Sequence, residues 1–391
     1  MARSECRRLV LLGLGPVALL AIFVALFLRY GPLGVFETAF PPVEELTIDR
    51  VTLRPGEIVV VVTNGGPQPV TVAQVMVDDA YWRHAIVPDR TIPRLGRATV
   101  TIPYDWVEGE PHLITLLTET GVTIKHEIAV AVASPRPDAR YLGTFTLLGV
   151  YVGVIPVAVG LLWFPFLRRV GRRWLGFFLS LTGGLLVFLG VDTLAEALEV
   201  SAGVPGAFQG TGLVTIGVLG TVLALTAVVR RATAGAGDGP RARFLLALLI
   251  AVGIGLHNLG EGLAIGAAYS LGEIALGTFL VLGFLIHNTT EGLGIAAPLA
   301  QDRPPLARFV LLGAVAGVPT VAGTWIGGLV YSPVFATLFL AVGAGAIFQV
   351  VYELGRMMVR QASDEVATLT NVAGFVTGLL VMYGTGLLVA G

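Results

Sequence analysis

The chain has 391 residues, of which 55% are apolar and only 13% charged, with a formal net charge of −1 at pH 7 and a mean hydropathy of +0.82. Soluble domains carry about 25% charged residues, so a chain this poor in charge cannot cover a water-facing surface, and a lipid bilayer is the expected solvent. The near-neutral balance gives no basic field for a nucleic-acid partner, and the single cysteine, Cys6, rules out a disulfide framework or a Cys-based metal site within one chain.

About 20 apolar residues cross a bilayer as a helix. The first such run is Leu9–Leu28, preceded by Arg3, Arg7 and Arg8. It is longer than a usual signal-peptide core and no clear small-x-small cleavage site follows, so residues 1–36 are expected to be a retained transmembrane anchor.

Residues 37–138 are different material. Leu46–Val62, Val70–Val77, Ala98–Ile102, His112–Thr118 and Val122–Val132 are rich in Val, Ile and Thr and alternate in polarity in several places, with turn signals at Arg54-Pro55-Gly56, Asn64-Gly65-Gly66-Pro67 and Thr120-Gly121. That pattern predicts a small β-sandwich of about 90 residues. It contains His84, His112 and His126 but no cysteine, which a blue-copper site requires. A structural or partner-binding role, with the partner unidentified, is expected of it. Ser134–Asp138, with Pro135 and Pro137, reads as a linker.

Eight further apolar runs fill 139–391, at about 142–166, 174–199, 208–230, 243–269, 272–298, 307–330, 333–358 and 367–390. Arginine placement checks this count. Arg168, Arg169, Arg172 and Arg173, then Arg230, Arg231, Arg241 and Arg243, then Arg303 and Arg308, then Arg356 and Arg360 all fall on one side. The alternate loops, near Glu199–Phe208, Ser270–Glu273 and Tyr331–Pro333, carry no Lys or Arg. This is the positive-inside pattern; it puts the N-terminus in the cytoplasm and residues 37–138 and the C-terminus outside. Arg29 and Arg140 are the exceptions near the membrane. The fold expected is an all-α polytopic bundle with one extra N-terminal helix and an all-β ectodomain.

Two of these runs hold almost the same motif: His257-Asn258-Leu259-Gly260-Glu261-Gly262-Leu263 and His287-Asn288-Thr289-Thr290-Glu291-Gly292-Leu293. An ionisable group at bilayer depth costs several kcal/mol unless paired or hydrated. Residues four apart share a helix face, and consecutive helices with a short connection are antiparallel neighbours. Two imidazoles and two carboxylates then converge, a set suited to zinc, iron, manganese, cobalt or nickel. Asn258 and Asn288 can add amide oxygens, and Gly262 and Gly292 allow close helix approach. The rival reading is a buried polar network that only fixes helix packing.

At these residues the chain resembles the ZIP family of zinc and iron transporters, whose eight transmembrane helices carry paired H-N-x-x-[DE]-G-like motifs on the fourth and fifth. The resemblance covers roughly the last 250 residues, on motif and topology. It implies a metal site of His257, Asn258, Glu261, His287, Asn288 and Glu291. Asp192-Thr193-Leu194-Ala195-Glu196-Ala197-Leu198 is similar to the family's H-L-L-P-E-A-L, and Val351-Tyr352-Glu353-Leu354 to its H-E-L. Asp192, Glu196 and Glu353 are therefore candidate pathway residues, with snorkelling interfacial charges as the alternative. Thr320 stands where many relatives have a Glu, and Asn288 replaces an acid found in some; both departures put a binuclear site in doubt, and one principal ion is expected between His257, Glu261, His287 and Glu291, with a second ion left open.

The resemblance implies import of a divalent ion toward the cytoplasm of a cell, with zinc first and iron(II), manganese(II) or cadmium(II) as alternatives. It implies no cofactor and no enzymatic activity. No Walker-type nucleotide loop occurs. An intramembrane metal-dependent hydrolase with one Glu as general base and a non-transporting metal sensor are the rivals; no H-E-x-x-H motif supports the first. The physiological metal, the energetic coupling and the oligomeric state, a homodimer included, stay open.

Overall fold

The computed structural model describes residues 3–30, 44–134, 138–233, 239–270, 274–330, 332–362 and 367–389. The expected linker prolines Pro135 and Pro137, the junction at 31–43, the turn at 271–273 and Tyr331 lie outside the described residues. The chain forms two units, Met1–Val43 and Glu44–Gly391. The first holds α1 (Arg3–Tyr30), with Pro16 inside it. Its apolar stretch among the described side chains, Leu14–Leu26, is shorter than a span. The described residues thus contain eight helices long and apolar enough to cross a membrane, all in the second unit.

The β-sandwich opens that unit. The run expected at 46–62 folds back at Pro55-Gly56, where Gly56 has a φ of +77°, into β1 (Leu46–Arg54) and β2 (Glu57–Asn64). Then follow β3 (Val70–Val77), β4 (Ala80–Tyr81), β5 (Ala85–Val87), β6 (Thr91–Ile92), β7 (Arg97–Ile102), β8 (His112–Thr118) and β9 (Thr123–Ile128). One sheet has the order β1-β2-β7-β5, the other β4-β3-β8-β9 with β6 on β3. Alternate residues such as Ile58, Val60 and Val62 from one sheet and Val75, Ile114 and Leu116 from the other fill a common core, as period-2 strands dictate. Asn64, fully buried, closes the Gly65-Gly66 turn by accepting the Gly66 N–H (2.9 Å) and donating to the carbonyls of Gln68 and Ile92.

At one end of the sandwich Asp78 accepts from Leu113 N–H (2.8 Å), Tyr104 O–H (2.9 Å) and His112 Nδ1 (2.8 Å). Burial raises the Asp78 pKa, but these three donors outweigh it and hold the carboxyl below its usual range. Burial first, and Asp78 second, push the Tyr104 phenol up to about 12.

The first span is broken: α2 (Ala139–Gly149), a wide π turn at Val150–Val154, α3 (Ile155–Leu161) and α4 (Phe164–Leu167). Asp138 caps it through Tyr141 N–H (2.7 Å). Continuous helices follow: α5 (Arg172–Ser201), α6 (Gly210–Thr233), α7 (Pro240–Ser270), α8 (Ile274–Ala296), α9 (Leu306–Val330), α10 (Pro333–Ala362) and α11 (Leu369–Val389).

Glycine places these helices in two groups. A Cβ on Gly323 of α9 would lie 2.9 Å from the Gly262 Cα of α7, and one on Gly292 of α8 2.8 Å from the Gly160 Cα of α3. Backbones that close exclude any side chain. Together with Gly317 against Val154, these contacts weld α2–α4, α7, α8 and α9 into one half. Gly378 of α11 against Gly184 of α5, and Gly345 of α10 against α6, weld the other. Polar ties follow the same division. Tyr141 O–H donates to Gly328 O (2.8 Å), Thr324 O–H to Phe145 O (2.9 Å), and Arg243 pairs with Asp302 through two bonds of 2.8 and 2.5 Å, all in the first half. Arg173 donates to Thr370 (2.8 Å) in the second. Between the halves the fit is looser: Val350 stands against Gly253 and Thr182 against Gly294, and a Cβ on Gly343 of α10 would meet the α7 backbone at Leu256 and His257 only at 3.3–3.4 Å.

The sandwich rests on the arginine-poor end of the bundle and touches both halves. Arg50 Nη1 donates to Leu329 O at the end of α9 (2.6 Å). Glu45 accepts the Gly206 N–H (2.6 Å) in the α5–α6 connection.

Candidate metal centre

The six motif residues lie in the middle of α7 and α8, and all are buried: Asn258 and Asn288 completely, His257, Glu261, His287 and Glu291 within 7% exposure. Each helix presents its His and Glu on one face, as the four-residue spacing requires. The two motifs meet because Gly262 seats α7 on α9 while Gly292 seats α8 on α3. The imidazole rings of His257 and His287 are 6.1 Å apart, centroid to centroid, and Phe284 packs edge-on to His287 at 5.3 Å.

Glu261 is the hub. Its Oε1 is 3.0 Å from His257 Nε2 and also in hydrogen-bond contact with His287 Nε2, while its Oε2 accepts from Asn288 Nδ2 (3.0 Å). Whatever sits between a ring nitrogen and that carboxylate oxygen carries positive charge, a proton or a metal ion. Glu291 is the opposite case: among the described residues neither of its buried carboxylate oxygens has a hydrogen-bond partner. Ligand atoms of His257, His287 and Glu291 lie within 4.8 Å of one another. Zinc takes nitrogen and oxygen ligands at about 2.0–2.2 Å, so a small closure brings all three onto one ion.

The two asparagines are held alike. Asn258 Nδ2 donates to Ala316 O on α9 (3.1 Å) and Asn288 Nδ2 to Val152 O in the π turn (3.0 Å), and both Oδ1 atoms are left buried without a partner. The wide turn in the first span thus meets the Asn288 side chain directly.

Thr193 of α5 also belongs to the site and was missed. It is fully buried; its hydroxyl donates to Leu189 O (2.7 Å) and meets His257 Nδ1 at 2.8 Å. Of its neighbours in the same motif, Asp192 is exposed, while Glu196 is half-buried and within electrostatic reach of His257 and Glu261. Glu353 pairs with Arg356 on its own helix (3.2 Å) rather than with the centre. Thr320, fully buried with an unpartnered hydroxyl, packs where Gly153 leaves room for it.

A small cavity, about 10 Å³, opens from Glu291 between α5, α7, α8 and α11, lined by Thr182, Leu189, Ile254, Thr290, Gly294 and Met382 among others. On α5 and α8 these residues step from the centre toward the arginine-bearing ends. In the sandwich, His112 is engaged by Asp78 and His84 lies against the Trp82 carbonyl (3.1 Å); among the described residues the group of three metal-capable ligands is the one in the bundle.

No protein-family model matches the chain, and no curated protein matches it either.

Proposed function

We propose that the chain carries a divalent transition-metal ion across a cell membrane through the centre between α7 and α8, as a ZIP-like transporter, with zinc the first candidate and iron(II), manganese(II) and cadmium(II) the alternatives. The observation that supports this reading is Glu291: a carboxylate buried at mid-span with no hydrogen-bond donor, beside two imidazoles and a second carboxylate. Burying such a group without compensation costs several kcal/mol. A divalent cation balances both carboxylates and accepts neutral imidazole nitrogen. The location of the site is consistent with transit: its candidate ligands sit on one half of the bundle, at the boundary with the other. With the arginine-bearing ends in the cytoplasm, passage toward them is import.

Uptake into proteoliposomes tests it, with zinc, iron(II), manganese(II) and cadmium(II) offered to the wild type and to the His257→Ala/Glu291→Ala double variant. Saturable flux lost in the double variant supports transport and ranks the ions. Metal binding with no flux for any ion overturns the transporter reading in favour of a sensor, and metal-dependent hydrolysis without flux turns it to an intramembrane hydrolase.

A further inference from the structure

The named interhelical hydrogen bonds join helices of the same half, with one exception: Thr193 on α5 reaches across the boundary to His257 on α7. A threonine hydroxyl has one proton and two lone pairs. In membrane helices that proton commonly returns to the carbonyl four residues back, which satisfies the hydroxyl locally. Thr193 does this with Leu189 O at 2.7 Å. Its proton is thereby spent, so at 2.8 Å from His257 it can only accept, and the ring must carry its proton on Nδ1. The remaining nitrogen, Nε2, is the one that faces Glu261 and the centre.

We propose that Thr193 is a positioning residue of the metal centre: by accepting the Nδ1–H of His257 it fixes the ring's tautomer and rotation so that Nε2 is the metal-binding nitrogen. The inference rests on the reading of the site as a metal centre and adds a residue from the opposite half of the bundle. Metal-binding histidines in general present one nitrogen to the ion and donate the other N–H to an oxygen, and losing that oxygen typically weakens metal binding by about 10–100-fold. Without Thr193 the buried Nδ1–H has no acceptor, and the ring can turn over to present the wrong nitrogen.

The test is zinc titration of the full chain in nanodiscs, comparing wild type, Thr193→Val and Thr193→Ser. Val keeps the shape and removes the acceptor; Ser keeps the acceptor and removes a methyl. Zinc affinity is expected to fall at least about tenfold in Thr193→Val and to return to within about twofold of wild type in Thr193→Ser. ¹⁵N spectra of histidine-labelled protein, which has five histidines, are expected to show a zinc-bound ring protonated on Nδ1 in wild type and to lose that signature in Thr193→Val. Equal affinity in Thr193→Val overturns the inference, as does a Thr193→Ser variant as weak as Thr193→Val, which would assign the effect to packing. If the wild type itself binds no zinc, the metal-centre reading falls and this inference with it.

Discussion

Glu261 and Glu291 occupy equivalent positions in two copies of one motif, yet their surroundings differ. Glu261 lies in hydrogen-bond contact with the Nε2 of both imidazoles and accepts from Asn288, whereas Glu291 has no hydrogen-bond partner among the described residues. Substitution should therefore separate stability from function. Glu261→Gln removes a charge that engages both rings and Asn288 and should lower metal-free stability by about 1.5–3 kcal/mol, the range for hydrogen bonds to charged groups. Glu291→Gln replaces an unsolvated charge by a neutral amide and should leave the metal-free thermal midpoint at or above that of wild type, while zinc affinity falls. Thermal unfolding with chelator present, beside zinc titration, checks the pair; a Glu291→Gln protein that is less stable without metal would show that the carboxylate is already satisfied. The convergence of His257, Glu261, His287 and Glu291 was legible from spacing, because a four-residue period puts His and Glu on one face whatever the tertiary fold. The unequal surroundings of the two acids were not, since they depend on Asn288 bridging Glu261 and the Val152 carbonyl, far away in sequence.

At the scale of elements, spans and strands were legible where they are long. The runs read at 174–199 and 333–358 correspond to spans at 173–201 and 333–359, and β3 and β8 coincide with the apolar runs that announce them. The two- and three-residue strands β4, β5 and β6 carry too few residues to show a period. What holds the helices together is testable at Gly262. A Cβ there would lie 2.9 Å from Thr324 N and 3.0 Å from Gly323 Cα, so Gly262→Ala must force α7 and α9 apart and should destabilise by about 1–3 kcal/mol. Gly220 of α6 has open space around it, and Gly220→Ala should be neutral or stabilising by up to about 1 kcal/mol. Equal thermal midpoints for the two variants would remove the close-packing argument. A second element-scale expectation concerns β9. Burial lowers the pKa of His126 below its ordinary 6.5, so the folded sandwich favours the neutral ring. Its stabilising contribution is complete above pH 6.5 and is lost as pH falls through the lowered folded value. His126→Gln cannot titrate, so its resistance to protease should change less between pH 7.5 and 5.5 than that of wild type. Identical pH dependence in the two proteins would show that His126 does not contribute.

At the scale of the whole molecule, the division into two halves could not be read from the sequence. Fifty-one glycines announce close helix packing, but which glycine meets which is settled only by long-range partners such as Gly160 with Gly292. The sandwich gains its meaning from that division. Arg50 binds the carbonyl end of α9 in one half, Glu45 binds the Gly206 N–H between α5 and α6 in the other, and Gly65 abuts Pro205 so closely that a Cβ would come within 2.8 Å. These are few contacts, two of them charge-assisted, each worth about 1.5–3 kcal/mol. Removing both should release the sandwich from the bundle without unfolding it, because its core of Ile58, Val60, Val75, Ile114 and Leu116 owes nothing to either residue. The double variant Glu45→Ala/Arg50→Ala is therefore expected to raise amide hydrogen exchange at Gly206 and its neighbours and at the end of α9, while β2, β3 and β8 keep wild-type protection. Each single variant should give a smaller rise. Unchanged exchange at Gly206 in the double variant would mean that the apolar contact of Gly65 with Pro205 suffices to seat the sandwich. Loss of protection in β2 and β8 would mean instead that the sandwich depends on the bundle for its own stability.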